Sequence, residues 1–468
     1  MRTTHGTILL AALLAGFGCD NNPPVETPDS GPVVLDDAGP GTDACTACPR
    51  DSGPTGDGND SFATATAITP GATSPTAGEI NPPGDLDYYT FEGTAGQWIQ
   101  ILATTDDMAT TRADTVIGLY DSTMTLIAEN DDALPRFDVD PGLITRLPSA
   151  GTYYILVQEW STWADDTAAG GPAYDYEVSV GEISPTAALV NIDTEGGDDV
   201  ASAQALTEQV VTGGGASFIM GTFDDATDVD VFSFTITGTT SSSYSVNLMP
   251  EGNEAYGAAA PPARLRITNA DGTEIVASMD PSAFSPVGPG RNVELAPSLP
   301  PGDYRLFVEG GGTADFYVIK AFRSSDYTPE SATTDVTNNL PATPDVVVLE
   351  TQAGSMYRVG RVLANLPALD IDHFSIETTG TEAINVFCDS RSVGSGIADL
   401  EVTLLSADGT EEITSATESA TEGIEILDQA VPVAGTYLVR LTRGAQDSEI
   451  TGEWVRCAFV TGPVSPAP

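Results

Sequence analysis

Asp85-Leu86-Asp87-Tyr88-Tyr89-Thr90-Phe91 is the stretch that decides the fold of this chain. Tyr89 and Phe91 follow the second aspartate by two and four residues, which is the period of a β-strand with one buried face. The D-x-D pair, Asp85 and Asp87, therefore lies where a loop enters a core strand.

The same signal occurs three times along the chain. Two later stretches repeat both the D-x-D pair and the alternation behind it: Asp228-Val229-Asp230-Val231-Phe232-Ser233-Phe234 and Asp370-Ile371-Asp372-His373-Phe374-Ser375-Ile376. An internal repeat of this length indicates that one structural unit is copied three times.

Two further blocks accompany each D-x-D strand. A strand first reaches a tight turn that contains an aspartate, at Asp121, Asp271 and Asp408. A turn glycine then opens an alternating strand whose first inward residue is a tyrosine, at Tyr153, Tyr304 and Tyr437. We expect these tyrosines to be core anchors, because aromatic side chains dominate protein cores.

These patterns predict an all-β protein. Long amphipathic helical stretches are absent from the sequence, and Gly, Pro, Ser and Thr separate short strands throughout. That pattern is typical of β-sandwiches or jelly rolls. We predict three tandem domains: module one at residues 57–182, module two at 195–323 and module three at 341–462.

The N-terminal segment resembles the signal of a bacterial lipoprotein. An apolar run from Ile8 to Phe17 is followed by Gly18 and Cys19, and the sequence then turns polar. We expect residues 1–18 to be a signal peptide and Cys19 to become the acylated first residue of an exported protein, anchored at the outer membrane or cell surface. The alternative is ordinary cleavage and free secretion. Residues 19–56, rich in Pro, Gly, Asp, Ser and Thr, read as a flexible stalk.

The charge of the chain limits its partners. The formal net charge is -51, from 68 acidic and 17 basic residues. Such a surface repels nucleic acid and anionic lipid and attracts divalent cations. We therefore expect no nucleic-acid partner and membrane contact only through the lipid anchor. The simpler interpretation is that the acidic surface serves solubility.

The cysteines other than Cys19 form an even set, and export permits disulfides. Cys388 and Cys457 both lie in strand-like stretches, so we predict a bridge between them within module three. Cys45 and Cys48 read as a small local disulfide in the stalk, since no second pair of ligands accompanies them.

Module one resembles the bacterial pre-peptidase C-terminal domain, a family related to the collagen-binding domains of collagenases. The resemblance is carried by the opening Asp57-Gly58-Asn59-Asp60-Ser61, by Gly78-Glu79-Ile80, by the D-x-D strand and by Asn130-Asp131-Asp132. It implies β-sandwiches, some of which bind Ca²⁺ between the opening and the D-x-D loop, and some of which grip insoluble protein polymers. Such modules usually trail a peptidase, and no peptidase motif precedes them here.

The resemblance also implies a set of calcium ligands, since Ca²⁺ takes carboxylate and carbonyl oxygens. In module one the candidates are Asp57, Asn59, Asp60, Asp85 and Asp87, with Glu79 as a possible further ligand. In module two they are Glu195, Asp198, Asp228 and Asp230. Module three lacks the acidic opening and the glycine before its D-x-D pair, so we expect it to bind Ca²⁺ weakly or not at all. The alternative is that these aspartates only cap turns and strand ends.

Catalysis is not expected. After removal of the signal one histidine remains, His373, which aligns with Tyr88 and Val231 on the outward side of its strand and is expected at the surface. No H-E-x-x-H, G-x-S-x-G or P-loop pattern is present. A hydrolase that uses a carboxylate pair stays as a third possibility, because acidic residues are abundant.

The function that these features favour is adhesion to an extracellular polymer or protein, with weak modules gaining avidity through tethering. Trp98, Trp160 and Trp163 are candidate exposed aromatics, and the last two are expected close together in a polar loop that suits ligand contact. Packing of these indoles over the end of the sandwich is the simpler interpretation. The alternative function is a passive spacer or scaffold of a surface complex.

Overall fold

The structure is a computed structural model. It describes residues 58–105, 112–131, 140–184, 190–193, 196–211, 214–223, 225, 227–238, 242–249, 264–279, 294–310, 316–324, 327–330, 338–351, 356–380, 382–418, 423–431, 433–444 and 449–463. The signal peptide, the stalk, Cys19, Cys45 and Cys48 lie outside these ranges, as do the candidate ligands Asp57 and Glu195.

The described residues of module one form nine strands, a 3₁₀ helix at Phe62–Thr64 and one short α-helix, α1 (Trp160–Trp163). The strands are β1 (Thr66–Ala67), β2 (Thr76–Glu79), β3 (Leu86–Gly93), β4 (Trp98–Thr104), β5 (Thr115–Tyr120), β6 (Leu126–Asn130), β7 (Gly142–Arg146), β8 (Gly151–Glu159) and β9 (Asp175–Glu182).

Module two follows with the same kinds of element. A linker strand β10 (Val190–Ile192) precedes it. Its strands are β11 (Gln204–Ala205), β12 (Gln209–Val211), β13 (Gly214–Gly221), β14 (Val229–Ile236), β15 (Ser242–Met249), β16 (Arg264–Asn269), β17 (Ile275–Met279), β18 (Glu294–Leu295), β19 (Ser298–Leu299), β20 (Gly302–Glu309) and β21 (Tyr317–Ser324).

Module three is preceded by the linker strand β22 (Thr328–Pro329) and contains a 3₁₀ helix at Arg391–Val393. Its strands are β23 (Asp345–Val346), β24 (Glu350–Thr351), β25 (Arg358–Asn365), β26 (Ile371–Thr378), β27 (Glu382–Asp389), β28 (Leu400–Leu405), β29 (Glu412–Thr417), β30 (Ile424–Val431), β31 (Gly435–Arg443) and β32 (Trp454–Gly462). Among the described residues, no helix has the length and hydropathy needed to cross a bilayer.

One sheet has the same strand order in every module. The orders are β1-β3-β8-β5-β6, β11-β14-β20-β16-β17 and β23-β26-β31-β28-β29. In each case the first strand pairs in parallel with the D-x-D strand, and the other pairs along the sheet are antiparallel. The predicted all-β fold of sandwich or jelly-roll type and its internal repeat are therefore confirmed.

The second sheet of each module differs at its edge. Module one has the order β2-β9-β4-β7, whereas the sheets of modules two and three start with the linker strands β10 and β22. Each linker strand pairs in parallel with the next strand of its sheet, β13 or β25. The sheets of these modules therefore begin before residues 195 and 341, and each connector is tied by backbone hydrogen bonds to the module that follows it.

The tyrosine of each turn-glycine strand closes one corner of its sandwich. Tyr153, Tyr304 and Tyr437 each donate a hydroxyl hydrogen bond to the backbone carbonyl four residues earlier, at 2.6, 2.7 and 3.0 Å. The first two side chains are buried and the third is half-buried. The aromatic ring thus fills core space while its polar end satisfies a turn carbonyl, which explains why tyrosine rather than phenylalanine occupies the position.

The outward face of the D-x-D strand is covered, and the prediction that His373 lies at the surface is wrong. His373 is 3% exposed, and its counterparts Tyr88 and Val231 are equally buried. In module one the ring of Phe62 lies 4.6 Å from that of Tyr88. The strand alternation is as predicted, but the opening segment of each module folds across the face that the alternation leaves outward.

Aromatic residues connect successive modules. Trp98 of module one meets Phe316 of module two edge to face, with ring centroids 5.3 Å apart, so this indole is buried and not exposed as expected. Trp454 of module three packs into the core cluster of module two together with Val393. Backbone hydrogen bonds add to the second junction, including Thr451 N to Ile275 O at 2.8 Å.

The predicted disulfide between Cys388 and Cys457 is confirmed. The two residues are direct partners on the neighbouring strands β27 and β32, with Cα atoms 4.2 Å apart. Both side chains are buried in the core of module three. The bridge therefore joins two adjacent central strands through the interior of the sandwich.

We predict that replacing Cys388 and Cys457 together by alanine destabilises module three by up to about 4 kcal/mol, because the bridge closes a loop of 69 residues in the unfolded chain. Chemical denaturation of the oxidised protein and of the double variant measures the difference. Equal midpoints for the two proteins would contradict the prediction.

Candidate metal centre

Three carboxylates of module two converge where its opening segment meets the D-x-D strand. One carboxylate oxygen each from Asp198, Asp228 and Asp230 lies within 4.8 Å of the others. Asp198 is exposed, Asp228 is half-buried and Asp230 is buried. Three of the four predicted ligands of this module thus come together, and the fourth, Glu195, lies outside the described residues.

A backbone hydrogen bond holds the opening segment in this position. The amide N–H of Val231 donates to the carbonyl of Gly197 at 2.8 Å, next to Asp198 in sequence. The same bond joins Tyr88 to Asn59 in module one, at 2.9 Å. The opening and the D-x-D pair are more than twenty residues apart in the chain, and this contact brings their side chains together.

In modules one and two, the buried aspartate of the D-x-D pair accepts a hydrogen bond from a tyrosine at the start of the last strand. Tyr317 donates to Asp230 Oδ2 at 2.8 Å, and Tyr176 donates to Asp87 Oδ2. Burial, and then the nearby carboxylate, raises the pKa of Tyr317 well above its usual range. The tyrosine therefore stays protonated and orients the carboxylate as a hydrogen-bond donor.

A glycine makes room for this tyrosine. A Cβ atom added at Gly221 would lie 2.3 Å from the Tyr317 hydroxyl oxygen, and one at Gly78 would lie 2.4 Å from Cζ of Tyr176. This contact explains why modules one and two both have a glycine seven residues before the first aspartate of the D-x-D pair. In module three Leu363 stands at that distance.

Module one assembles a related group. Asp85 and Asp87 are fully buried and Asn59 nearly so. Asp85 accepts hydrogen bonds from the backbone N–H groups of Asn81 and Leu86, at 3.0 and 3.1 Å. Burial raises the pKa of Asp85 to about 6, and the adjacent carboxyl of Asp60 contributes in the same direction.

Two predicted ligands of module one contribute less to this group. Glu79 accepts a hydrogen bond from the Asn81 side chain at 3.2 Å, so its carboxylate is held by the loop before the D-x-D pair. Asp57 lies outside the described residues. The described structure therefore brings Asp60 to Asp85 and keeps Asn59 and Asp87 buried beside them.

These donor sets suit a hard divalent cation. Ca²⁺ takes six to eight oxygen ligands, and carboxylates supply most of the charge in its sites. Three carboxylates within 4.8 Å repel one another unless a cation or a proton lies between them. Asp198, Asp228 and Asp230 are the described residues that could hold a metal ion together.

Module three keeps the position but changes the residues. The amide N–H of His373 donates to the carbonyl of Asn338 at 3.0 Å, which is the counterpart of the bond at Asn59. Asn339 therefore stands where modules one and two have Asp60 and Asp198. A neutral amide replaces a carboxylate, and the site carries less negative charge.

A second acidic group lies at the same end of module one and contains none of the predicted ligands. Burial raises the pKa of Asp114 to about 6, and the next largest cause is the carboxylate of Glu159, followed by Asp131. Asp131 belongs to the Asn-Asp-Asp motif that supports the family resemblance, and this was the only signal for the group in the sequence. Asp114 and Glu159 are neighbours only because β5 and β8 pair.

The two candidate tryptophans occupy the short helix α1 rather than a loop. Glu159 caps the helix by accepting from the backbone N–H of Ser161 at 2.8 Å. Trp163 hydrogen-bonds to Glu129, so its indole fastens the helix to the sheet. Trp160 is 38% exposed, which leaves it as the better candidate for ligand contact.

His373 is buried in a structural environment. His373 Nδ1 lies 3.0 Å from the carbonyl oxygen of Asn338, and burial lowers the pKa of the imidazole. The ring thus helps to fasten the opening segment of module three to its D-x-D strand. A buried ring that contacts a backbone carbonyl has the features of a packing residue.

No protein-family model matches the chain, and no curated protein matches it. Solved structures with partial likeness include one of the Sulfolobus turreted icosahedral virus, at 11% identity, covering 53% of this chain and 91% of that chain with a TM-score of 0.18. Another is the CUB1-EGF-CUB2 region of human MASP-1/3, at 9% identity, covering 52% and 98% with a TM-score of 0.16. A third is the triple jelly roll of an archaeal virus, at 8% identity, covering 82% and 85% with a TM-score of 0.14. At these scores the likenesses carry no functional argument.

We predict that Gly221→Ala destabilises module two by about 1–3 kcal/mol, because the added methyl group must displace the Tyr317 ring that orients Asp230. Gly302→Ala in the same module is the matched control, since its nearest neighbour would lie 3.6 Å away. Thermal denaturation of both variants makes the comparison, and an equal shift for the two would remove the explanation given for the glycine.

Proposed function

We propose that this chain is an exported, lipid-anchored surface protein that adheres to an extracellular polymer or protein through calcium-stabilised β-sandwiches of the pre-peptidase C-terminal type. The stalk would hold three modules away from the membrane, with Cys19 as the acylated residue. The proposal includes no catalytic step, because the single mature histidine is buried against a backbone carbonyl.

Exposed apolar side chains on a strongly acidic surface are the observation that carries the proposed adhesion. Val346 and Val348 of module three are 73% and 72% exposed, and Leu369 is 97% exposed. Side chains of this size at such exposure are typical of binding surfaces when they lie close together. Val346 and Val348 are two residues apart on the edge segment of module three, so they share one side of it.

The repeat provides an internal comparison for this surface. Ala67, Ala205 and Val346 occupy the same register position, since each is the second residue of the parallel pair with its D-x-D strand. Two residues later, modules one and two have Thr69 and Thr207 where module three has Val348. Only the third copy has large apolar residues at both positions, which supports a binding role for module three in particular.

Calcium has a supporting role in this proposal. Without a cation, the carboxylates of the opening and the D-x-D pair repel one another, and the opening segment also covers the outward face of its strand. Ca²⁺ would therefore stabilise the contact between the opening and the sandwich by mass action. A passive spacer is the second candidate, favoured by the aromatic and backbone contacts that join successive modules.

We predict two tight Ca²⁺ sites in the chain without its signal segment, one each in modules one and two. Isothermal titration calorimetry should show one fewer site for Asp228→Asn and again for Asp85→Asn. Free Ca²⁺ at a hundred times Kd should stabilise the wild-type protein by about 2.7 kcal/mol per site.

Asp370→Asn is the matched control for this titration, because Asp370 is the counterpart of Asp228 in the module with a neutral opening. Its stoichiometry should equal that of the wild-type protein. Loss of a site in this variant, or an unchanged stoichiometry for Asp228→Asn, would contradict the assignment.

We predict that the soluble modules are retained by at least one of three immobilised targets: polysaccharide, collagenous protein or cell envelope. Trp160→Ala, and separately Val346→Ala with Val348→Thr, should each reduce retention several-fold, because contacts of linked modules act together. The variant with Val346→Ala and Val348→Thr has the residue types that module one has at these positions, alanine and threonine. Its stability should therefore be nearly that of the wild-type protein.

Val210→Thr is the control for this experiment, since Val210 is an 87% exposed valine on module two outside both surfaces. It should bind like the wild-type protein. If none of the targets retains the wild-type chain, the spacer is the better account of the protein.

A further inference from the structure

Module three has a sheet edge with backbone groups that no described strand pairs. β23 is the end strand of its sheet, and its neighbour is β26. The N–H of Val347 donates to the carbonyl of Ser375 on β26 at 3.0 Å. Successive peptide groups of a strand alternate between its two edges, so the N–H and C=O of Val346 point away from β26. These two groups lie at the free edge of the sheet.

The other two copies close this edge two residues further along. In module two the N–H of Thr207 donates to Asn191 Oδ1 at 2.7 Å, and Asn191 Nδ2 donates to the carbonyl of Thr207 at 3.1 Å. One side-chain amide thus pairs with Thr207 as a neighbouring strand would. In module one the carbonyl of Thr69 accepts from the N–H of Ala72 at 3.1 Å, and the next residue, Pro70, has no N–H to donate.

Module three leaves the same position open. Val348 is the counterpart of that threonine, and its backbone has no hydrogen-bond partner within the described part of the chain. Asn191 lies two residues before the position opposite Gly221. Tyr327 lies two residues before the position opposite Leu363, so a phenol ring replaces the closing amide in module three. The backbone groups of Val348 therefore extend the free edge that begins at the preceding strand.

The side chains at this edge form a row with a defined chemistry. Val346 and Val348 are 73% and 72% exposed, while Val347 between them is 6% exposed. Glu350 is exposed as well and follows Val348 by two residues. Two apolar groups and one carboxylate thus lie along one side of the segment. Apolar side chains at alternate positions, with a basic one at the end, complement this row in shape and charge.

We propose that this edge binds an extended segment of a partner protein, which adds to the sheet as a further strand beside β23. The inference rests on the proposed adhesion and names its partner class. The N–H and C=O groups of Val346 and Val348 exchange hydrogen bonds with the segment, as in other cases of strand addition. Apolar side chains of the segment contact the two valines, and a Lys or Arg pairs with Glu350.

A polypeptide of another protein fits this edge better than a second copy of the chain does. An extended backbone presents one donor and one acceptor at every second residue, which is the spacing of the open groups at Val346 and Val348. A second copy could pair in the same way, but each copy has a formal net charge of -51. Two such chains repel each other, whereas a segment with a basic side chain is attracted.

The test uses the chain without its signal segment and the peptide Lys-Thr-Val-Thr-Val-Thr-amide, labelled with fluorescein at its N-terminus. In antiparallel pairing its lysine lies opposite Glu350 and its valines opposite Val348 and Val346. Fluorescence anisotropy should show saturable binding of one peptide per chain. N-methylation of both peptide valines should weaken binding at least about tenfold, because these residues exchange the backbone hydrogen bonds with the edge. N-methylation of the first two threonines, whose N–H groups point away from the edge, should leave binding nearly unchanged.

Variants of the protein separate the backbone contact from the ion pair. Val346→Pro removes the outward N–H, which an edge strand tolerates, and should weaken binding about three- to tenfold. Ala205→Pro makes the same change at the counterpart position of module two and should have no effect. Glu350→Gln should weaken binding about twofold, as for an exposed ion pair. Its control is Glu411→Gln, an exposed residue before β29 at the other edge of the same sheet, which should bind like the wild-type protein.

Several results would overturn the proposal. One is the absence of binding at millimolar peptide, and another is an equal loss of affinity for the two N-methylated peptides, which needs no protein variant. A wild-type dimer in light scattering that Val346→Pro abolishes would assign the edge to a second copy instead. Retention of the chain on an immobilised target without any peptide binding would refute strand addition and leave adhesion standing. Peptide binding with the expected methylation pattern, but no retention on any target, would support strand addition and count against the proposed adhesion.

Discussion

Each module depends on one backbone hydrogen bond, from the residue after the D-x-D pair to the opening segment. It joins Tyr88 to Asn59, Val231 to Gly197 and His373 to Asn338, at 2.9, 2.8 and 3.0 Å. The bond closes the outward face of the D-x-D strand and sets the opening side chains beside the aspartates. The same hydrogen bond therefore covers the outward face of the strand and brings the carboxylates together. A cation bound between the carboxylates would stabilise the fold and the site together for this reason.

The aspartates themselves are oriented from the opposite side. In modules one and two a tyrosine from the last strand crosses a glycine and donates to the buried carboxylate. Module three has Leu363 in place of that glycine and Asn339 in place of the opening carboxylate. Both changes affect the same site, so module three lacks the whole arrangement that modules one and two share.

Successive modules are joined by aromatic residues rather than by the connectors alone. Trp454 reaches into the core cluster of module two, while Trp98 meets Phe316 at the first junction. Burying an indole at a junction fixes the angle between modules more firmly than a polar linker does, because each ring loses its packing if the modules separate.

The sequence by itself determined the strand alternation, the three copies and the all-β class, because a period of two residues is a local property that side-chain order records directly. It also predicted the bridge between Cys388 and Cys457, because both cysteines lie in strand-like stretches of one module. It also identified Asp198, Asp228 and Asp230 as one set. Only the tertiary structure decided what covers each face: the burial of His373, the tyrosine behind the buried aspartate in modules one and two, and the packing of Trp454 against module two. These depend on segments that are distant in the chain, and an alternating pattern states which residues share a face but not which segment packs against it.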